Sequence, residues 1–329
     1  MQTRFTEHTG AQVPLICGAM YPCSNPELVA AVSAAGGLGV VQPISLMYVH
    51  GRDLREGLRE IHAAAKGGPI GFNAIVEKSA KAYEERMRKW VAIALEEGVR
   101  FFVTALGNPR WVVDAAKEHG GIVYHDVTER RWAEKALDAG VDGLICVSSE
   151  AGGHAGTQTP EALMAELSDL DVPLVSAGGV GDPATYATRM GLGYDAVQMG
   201  TRFIATEECR VHTDYQRAII EAGPEDIVLT ERLSGVPCAV INSPEVQRMG
   251  TKAGPLARRL LKGRKTKHWM RTFYALKSLR SLKRSSLNGL RPNDVWQAGQ
   301  SVGGVQQVLP AGEVVRQCAA ALAEDRAGT

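Results

Sequence analysis

Gly143-Leu144-Ile145-Cys146-Val147-Ser148-Ser149-Glu150-Ala151-Gly152-Gly153-His154-Ala155-Gly156 is an apolar run of strand length that breaks into a glycine-rich turn carrying one histidine. A short unbroken apolar run bounded by turn residues suits a strand buried on both faces, as in a parallel sheet. Working outward, the same unit recurs on both sides. Candidate strands are Leu15 to Gly18, Leu38 to Gln42, Ile70 to Asn73, Phe101 to Ala105, Ile122 to His125, Gly143 to Val147, Pro173 to Ala177 and Ala196 to Met199. Amphipathic helix candidates lie between them: Pro26 to Ala35, Leu54 to Ala65, Ala80 to Glu97, Pro109 to Glu118, Glu129 to Ala139 and Ala184 to Met190. Asn25-Pro26 and Asp182-Pro183 read as caps followed by proline at the first helical position, and glycines such as Gly98, Gly140 and Gly191 close the helices.

Eight strand-helix units in the first two thirds of the chain predict a TIM (β/α)8 barrel with a C-terminal helical cap. An open doubly wound sheet is the rival, but it usually carries GxGxxG after its first strand, and Gly18-Ala19-Met20-Tyr21-Pro22-Cys23 has no such pattern. The expected division is a barrel at 1–206, a helical, basic cap or lid at 207–294, and a segment at 295–329 that packs back on the barrel. In a barrel the chemistry sits at the carboxyl ends of the strands. That rule selects Gly18-Ala19-Met20, Gln42-Pro43, Asn73-Ala74, Leu106 to Asn108, His125-Asp126, Ser148 to Gly156, Gly178-Gly179 and Gly200-Thr201. The rim is glycine-rich with few fixed charges, and its seventh and eighth strand ends are where barrels commonly hold a phosphate. Each Gly-Gly taken singly is also ordinary turn chemistry. Of the eight histidines, His125 and His154 fall on the rim, and the glycines around His154 leave room for a substrate beside its ring.

Composition sets the outer limits. With 329 residues, 45% hydrophobic content and a net charge of +1, neither nucleic acid nor membrane stands out as the main partner. The first residues lack a signal-peptide core and no run is long enough to span a bilayer, so a cytoplasmic protein is expected. Six scattered cysteines without zinc spacing read as reduced, buried thiols, and no metal is expected. The charge is nevertheless uneven. Thirteen of the 37 Lys and Arg residues fall between Lys252 and Arg291, where no Asp or Glu occurs, leaving 24 basic against 36 acidic residues elsewhere. Such a run is a solvated helical lid, a lid docked on the acidic barrel of a partner in a homodimer, or a face for an anionic thioester arm. Leu256, Leu260, Trp269, Phe273 and Leu276 recur near helical spacing within it.

Gly18-Ala19-Met20, Gly36 to Gly39, Ala151 to Gly156, Ala177 to Val180 and Gln198 to Thr206 occur in the order found in one family. Together they resemble the nitronate monooxygenase (2-nitropropane dioxygenase) family, FMN-dependent TIM barrels related to enoyl-ACP reductases and NADH:quinone reductases. The resemblance covers about 210 residues well and Val295 to Val315 more loosely. It implies that Gly18, Ala19 and Met20 pass along the isoalloxazine and that Asn73 bonds its polar edge. Gly178, Gly179, Gly200 and Thr201 would hold the FMN phosphate, with Gln198 and Met199 flanking the flavin's tail. Ala151, Gly152 and Gly153 would present backbone to the flavin, and His154 would face the substrate over its reactive N5. The implied reaction is oxidation of alkyl nitronates with dioxygen. The same-fold alternative is NAD(P)H-dependent reduction of enoyl thioesters or quinones, and a third reading is a flavin-binding partner protein without catalysis. One departure stands out: Asp126 occupies a place where quinone reductases of this kind often carry lysine. Asp126 would then meet the cofactor, with a protonated His125 offsetting its charge, or it would cap the following helix.

Overall fold

In the computed structural model eight short strands close into one parallel barrel in chain order, β1 (Leu15–Cys17), β2 (Leu38–Val41), β3 (Ile70–Val76), β4 (Phe101–Leu106), β5 (Ile122–Val127), β6 (Gly143–Val147), β7 (Leu174–Ala177) and β8 (Ala196–Met199). The ring is completed by β1 pairing with both β2 and β8, with Ile16 opposite Leu38 on one side and Gln198 on the other. The structure describes residues 2–77, 81–233, 235–252, 278–291 and 294–327, with side chains to residue 324. The expected TIM barrel is therefore the fold.

Side-chain alternation sorts each strand into two faces. Leu38, Val40, Phe101, Val103, Tyr124 and Ile145 point inward and pack on one another inside the barrel. Residues of the opposite parity, such as Phe72, Phe102, Val123 and Leu144, pack against the surrounding helices. Each such residue contributes about 1.5–3 kcal/mol by leaving water. The helices are α1 (Arg4–Thr9), α2 (Pro26–Ala34), α3 (Leu54–Ala64), α4 (Lys81–Glu96), α5 (Arg110–Lys117), α6 (Arg130–Asp138), α7 (Pro160–Leu167) and α8 (Pro183–Gly191). Helix α1 lies under the barrel: Phe5 is fully buried against the edges of Phe101 and Tyr124, and the Tyr124 hydroxyl meets His8 Nδ1 at 3.0 Å.

The helices led by Pro26 and Pro183 start as expected, but their caps differ. Asp182 Oδ1 accepts from Thr185 N at 2.8 Å at the start of α8. Asn25 stands at the N-cap position of α2 without making a cap bond. Its amide nitrogen instead donates to the Glu208 carbonyl at 2.8 Å, and its oxygen accepts from Arg210 N at 3.1 Å, tying the loop after β1 to the segment after β8.

After β8 come α9 (Thr201–Ile204), α10 (Thr213–Glu221), the antiparallel pair β9 (Ile227–Thr230) and β10 (Cys238–Ile241), and α11 (Pro244–Met249). The region 207–294, expected to be helical, thus contains a two-stranded sheet as well. Most of the basic run and its helical leucines, from 253 to 277, lies outside the described residues. The helical residues 278–288 follow, and the chain then returns to the barrel through a short 3-10 turn (Gln300–Gly304) and a last helix α12 (Ala311–Ala327). Val314, Val315 and Cys318 of α12 are buried with Leu28 and Val32 of α2 and Tyr186 of α8. All six cysteines are buried and unpaired.

Candidate active site

Ser148, fully buried at the end of β6, organises the loop that follows it. Its hydroxyl and its amide both donate to the Ala177 carbonyl of β7, at 3.1 and 3.0 Å, and its own carbonyl accepts from Gly156 N at 3.0 Å. The glycine-rich loop is closed on itself by that last bond. It is then clamped from above, because Gly153 exchanges two backbone hydrogen bonds with Ala239 of β10, Ala239 N donating at 2.7 Å and Gly153 N at 3.3 Å. A third tie runs from Gln300 N to the Glu150 carbonyl at 2.9 Å.

Two glycines permit this crowding. A Cβ on Gly178, whose φ is +113°, would stand 2.6 Å from Ala151 N and from Ser148 Oγ. One on Gly152 would stand 2.8 Å from Gly299 N. The β6 loop, the β7 turn and the returning Trp296 to Gly304 segment thus meet backbone to backbone. Gly299 N also donates to Thr201 Oγ1 at 3.1 Å, which joins the β8 turn to the same cluster. Behind it, buried Arg189 of α8 pairs with Glu150 and, at 2.6 Å, with Glu161, and the Glu150 carboxylate lies against Gly179 where a Cβ would be.

The mouth of the barrel is lined by inward positions at the upper ends of the strands. Asn73 shares the inward face of β3 with Gly71, Asp126 that of β5 with Tyr124, and Gln198 that of β8 with Ala196. Gln198 lies against Gly18, whose Cβ would be 3.0 Å from Gln198 Cδ. Met199 has the other parity: its side chain is buried with Leu15, Val197 and Phe203 between barrel and helices, and its carbonyl accepts from Gly18 N at 3.0 Å. Ala19 packs on the interior cluster, while Met20 stands beside Gly200, with its sulfur 3.5 Å from a Cβ there.

Asp126 Oδ1 and Gln198 Oε1 are shut off from solvent and have no hydrogen-bond partner. Among the described residues, no acceptor in the chain meets the amides of Gly179, Gly200 or Thr201. Orphaned polar side-chain atoms at the mouth and unmatched amides at two strand ends suit a ligand with a hydrogen-bonding ring edge and an anionic phosphate. A flavin has both.

The titratable groups fall into distinct settings. His154 is exposed on its loop yet closely surrounded by protein, and desolvation holds its pKa below the usual histidine value, so the neutral ring prevails at pH 7. His125 points outward, its Nδ1 2.8 Å from Thr104 Oγ1, and burial pushes its pKa down to about 4. The expectation that a protonated His125 offsets Asp126 fails on both counts. Asp126 does not cap α6 either; Glu129 holds that position without a side-chain bond. Burial instead pushes the Asp126 carboxyl up to about 7.

The contacts of Ala239, Gln297 and Gly299 are not foreseen from sequence, which predicts only that 295–329 packs back on the barrel. Gln297 Nε2 lies 3.1 Å from Cys238 Sγ, and Trp296 stacks on Tyr215 with centroids 5.3 Å apart. No group of residues among those described could hold a metal ion, and no described helix is long and apolar enough to cross a membrane.

Comparison with known proteins agrees with the barrel fold. A family model described as nitronate monooxygenase matches residues 2–320. A Rhodococcus jostii protein named (3aS,4S,5R,7aS)-5-hydroxy-7a-methyl-1-oxo-octahydro-1H-indene-4-carboxyl-CoA dehydrogenase is 27% identical over 244 residues, covering 74% of this chain and 66% of that protein. A nitronate monooxygenase of Pseudomonas aeruginosa is 28% identical, covering 71% of this chain and 78% of that one. Among solved structures, FabK from Thermotoga maritima superposes with a TM-score of 0.80 at 28% identity, covering 100% of this chain and 98% of that one.

Proposed function

This chain belongs to the nitronate monooxygenase family and is an oxidoreductase, and from that premise we propose that its barrel mouth binds FMN and oxidises alkyl nitronates with dioxygen. The observation that carries the cofactor reading is the pairing of orphaned Asp126 Oδ1 and Gln198 Oε1 with the unmatched amides of Gly179, Gly200 and Thr201. Asn73, Asp126 and Gln198 would meet the ring edge, Gly18, Ala19 and Met20 would run beside it, and Gly178, Gly179, Gly200 and Thr201 would receive the phosphate. Ala151, Gly152 and Gly153 would supply backbone beside the ring. When bound, the flavin supplies the two-electron acceptor.

The protein's own contribution centres on His154. Its neutral imidazole can take the α-proton of a nitroalkane, or hydrogen-bond the nitro oxygens of a nitronate that arrives already ionised. Ser148 and the Gly153–Ala239 bridge hold the loop that presents the ring. Because the loop is fixed before the substrate arrives, little ordering remains to oppose the reaction.

A second reading is favoured by the Rhodococcus relative, named as a carboxyl-CoA dehydrogenase, together with the run of thirteen basic residues from Lys252 to Arg291. On that reading the substrate is a CoA thioester. Anaerobic stopped-flow mixing of the flavin-loaded protein with propionate-3-nitronate, NADH, NADPH or an acyl-CoA separates them. Fast bleaching by the nitronate supports the first reading. Bleaching by a pyridine nucleotide or a thioester, with none by the nitronate, overturns it.

A further inference from the structure

The barrel mouth holds one carboxyl group in an unusual state. Asp126 faces inward from β5, its Oδ1 closed off from solvent and without a partner. Among the described residues burial alone moves its ionisation, and no lysine, arginine or second carboxylate acts on it. The titratable groups around it are few. On β6, Cys146 is a thiol whose own burial pushes its pKa up to about 12; on β5, His125 turns outward to Thr104; on the loop after β6, desolvation favours the uncharged form of His154. β4 brings Thr104 and no charge. None of these can neutralise a carboxylate at pH 7.

A buried ligand edge makes demands of its own. Gln198 Oε1 offers an acceptor, which suits a ring N–H; the carbonyl and imine positions of the same ring edge need donors. An ionised Asp126 would set acceptor against acceptor in a site the ligand has dried, whereas the protonated acid has an O–H to give. We propose that Asp126 enters the cofactor complex as a neutral carboxylic acid donating a hydrogen bond to the ring, so that at mildly alkaline pH binding takes up a proton from solvent. This rests on the flavin reading given above. Closing the mouth removes the water that remains beside the carboxyl group, which raises its affinity for the proton further. Linkage then fixes the sign: binding is unaffected below the free-state value near 7, weakens as pH rises above it, and levels off above the bound-state value.

The test uses apoprotein and FMN, followed by flavin fluorescence from about pH 6 to pH 9, with calorimetry near pH 8 in two buffers of different protonation enthalpy. The wild type should lose affinity by up to about tenfold per pH unit above 7 relative to Asp126→Asn, whose amide donates without titrating. It should take up close to one proton on binding, and the variant should take up about one fewer. The phosphate's own ionisation is common to both proteins and cancels in the difference. Tighter binding by Asp126→Asn than by wild type above pH 8 would be the clearest support. FMN binding with parallel pH profiles and no extra proton uptake by the wild type overturns the proposal and leaves the flavin reading standing. No FMN binding by the wild type at any pH overturns both. Should Asp126→Asn not fold, the proton uptake of the wild type near pH 8, where the phosphate is fully ionised, decides alone.

Discussion

His154 and Asp126 have pKa values moved in opposite directions, and in both cases burial favours the uncharged form. For His154 that makes a base available at neutral pH. The acid limb of kcat/KM for a neutral nitroalkane is expected below pH 6.5, with activity lost as pH falls through it, and His154→Ala should lower that activity by about 10²–10⁴-fold while keeping the flavin spectrum. Turnover of a preformed nitronate should fall much less, since no proton has to be removed. Unchanged nitroalkane turnover in the variant would remove His154 from the chemistry. For Asp126 the same shift is a stability statement. A carboxyl group whose folded pKa is raised from 3.8 to about 7 favours folding most fully at acid pH and destabilises the fold progressively as pH rises between those values. Asp126→Asn should therefore stabilise the apoprotein at pH 8 by on the order of 1–3 kcal/mol, after discounting for its partial exposure. Thermal melts at pH 4 and pH 8 would show it, and equal shifts at both would count against it.

At the scale of elements, the loop after β6 is the junction where β7, β8, β10 and the returning C-terminal segment meet. The Ala239 amide points toward Gly153 and away from β9, so Ala239→Pro removes the 2.7 Å bond while leaving the β9–β10 ladder its own bonds. We expect flavin binding to persist and kcat to fall about ten- to a hundredfold, because a small displacement of the His154 loop misplaces the reacting groups. Loss of flavin binding instead would mean that β10 supports the cofactor rather than the substrate side. The sequence made the barrel strands legible because each is an unbroken apolar run between turn residues, and β6 and β8 have the bounds read from it. The β9–β10 pair was harder to see. Ile227–Thr230 and Cys238–Ile241 are four-residue strands joined by an irregular loop, without the two-residue turn that announces a hairpin. Helix α1 escaped for a similar reason, since Phe5 is its only large apolar residue. The rim positions followed from the strand ends, but parity was not carried through: it turns Met199 and His125 away from the mouth and Asp126 toward it.

Taken as a whole molecule, the barrel and its returning tail leave the described surface laced with ion pairs, while the sequence concentrates thirteen basic residues between Lys252 and Arg291. An anionic thioester arm guided by that run should show kcat/KM falling steeply with added salt, and a small uncharged nitroalkane should show little change. Measuring both substrates across ionic strength distinguishes steering from general salt effects; parallel slopes would leave the basic run without a role in capture. In a homodimer the acidic balance of the remainder would offer such a run a counter-surface on the second copy. Salt would then change the oligomeric state together with activity.

Helix α1 has a kinetic meaning beyond its packing. With Phe5 wedged beneath Phe101 and Tyr124, the barrel has a floor, and a ligand of the mouth would meet the protein from the strand ends opposite that floor. On the nitronate reading proposed above, organic substrate, product and dioxygen would then all approach from the side of the strand ends. Two reactants that reach one cofactor from one side would be served in turn, the first product leaving before the second reactant settles.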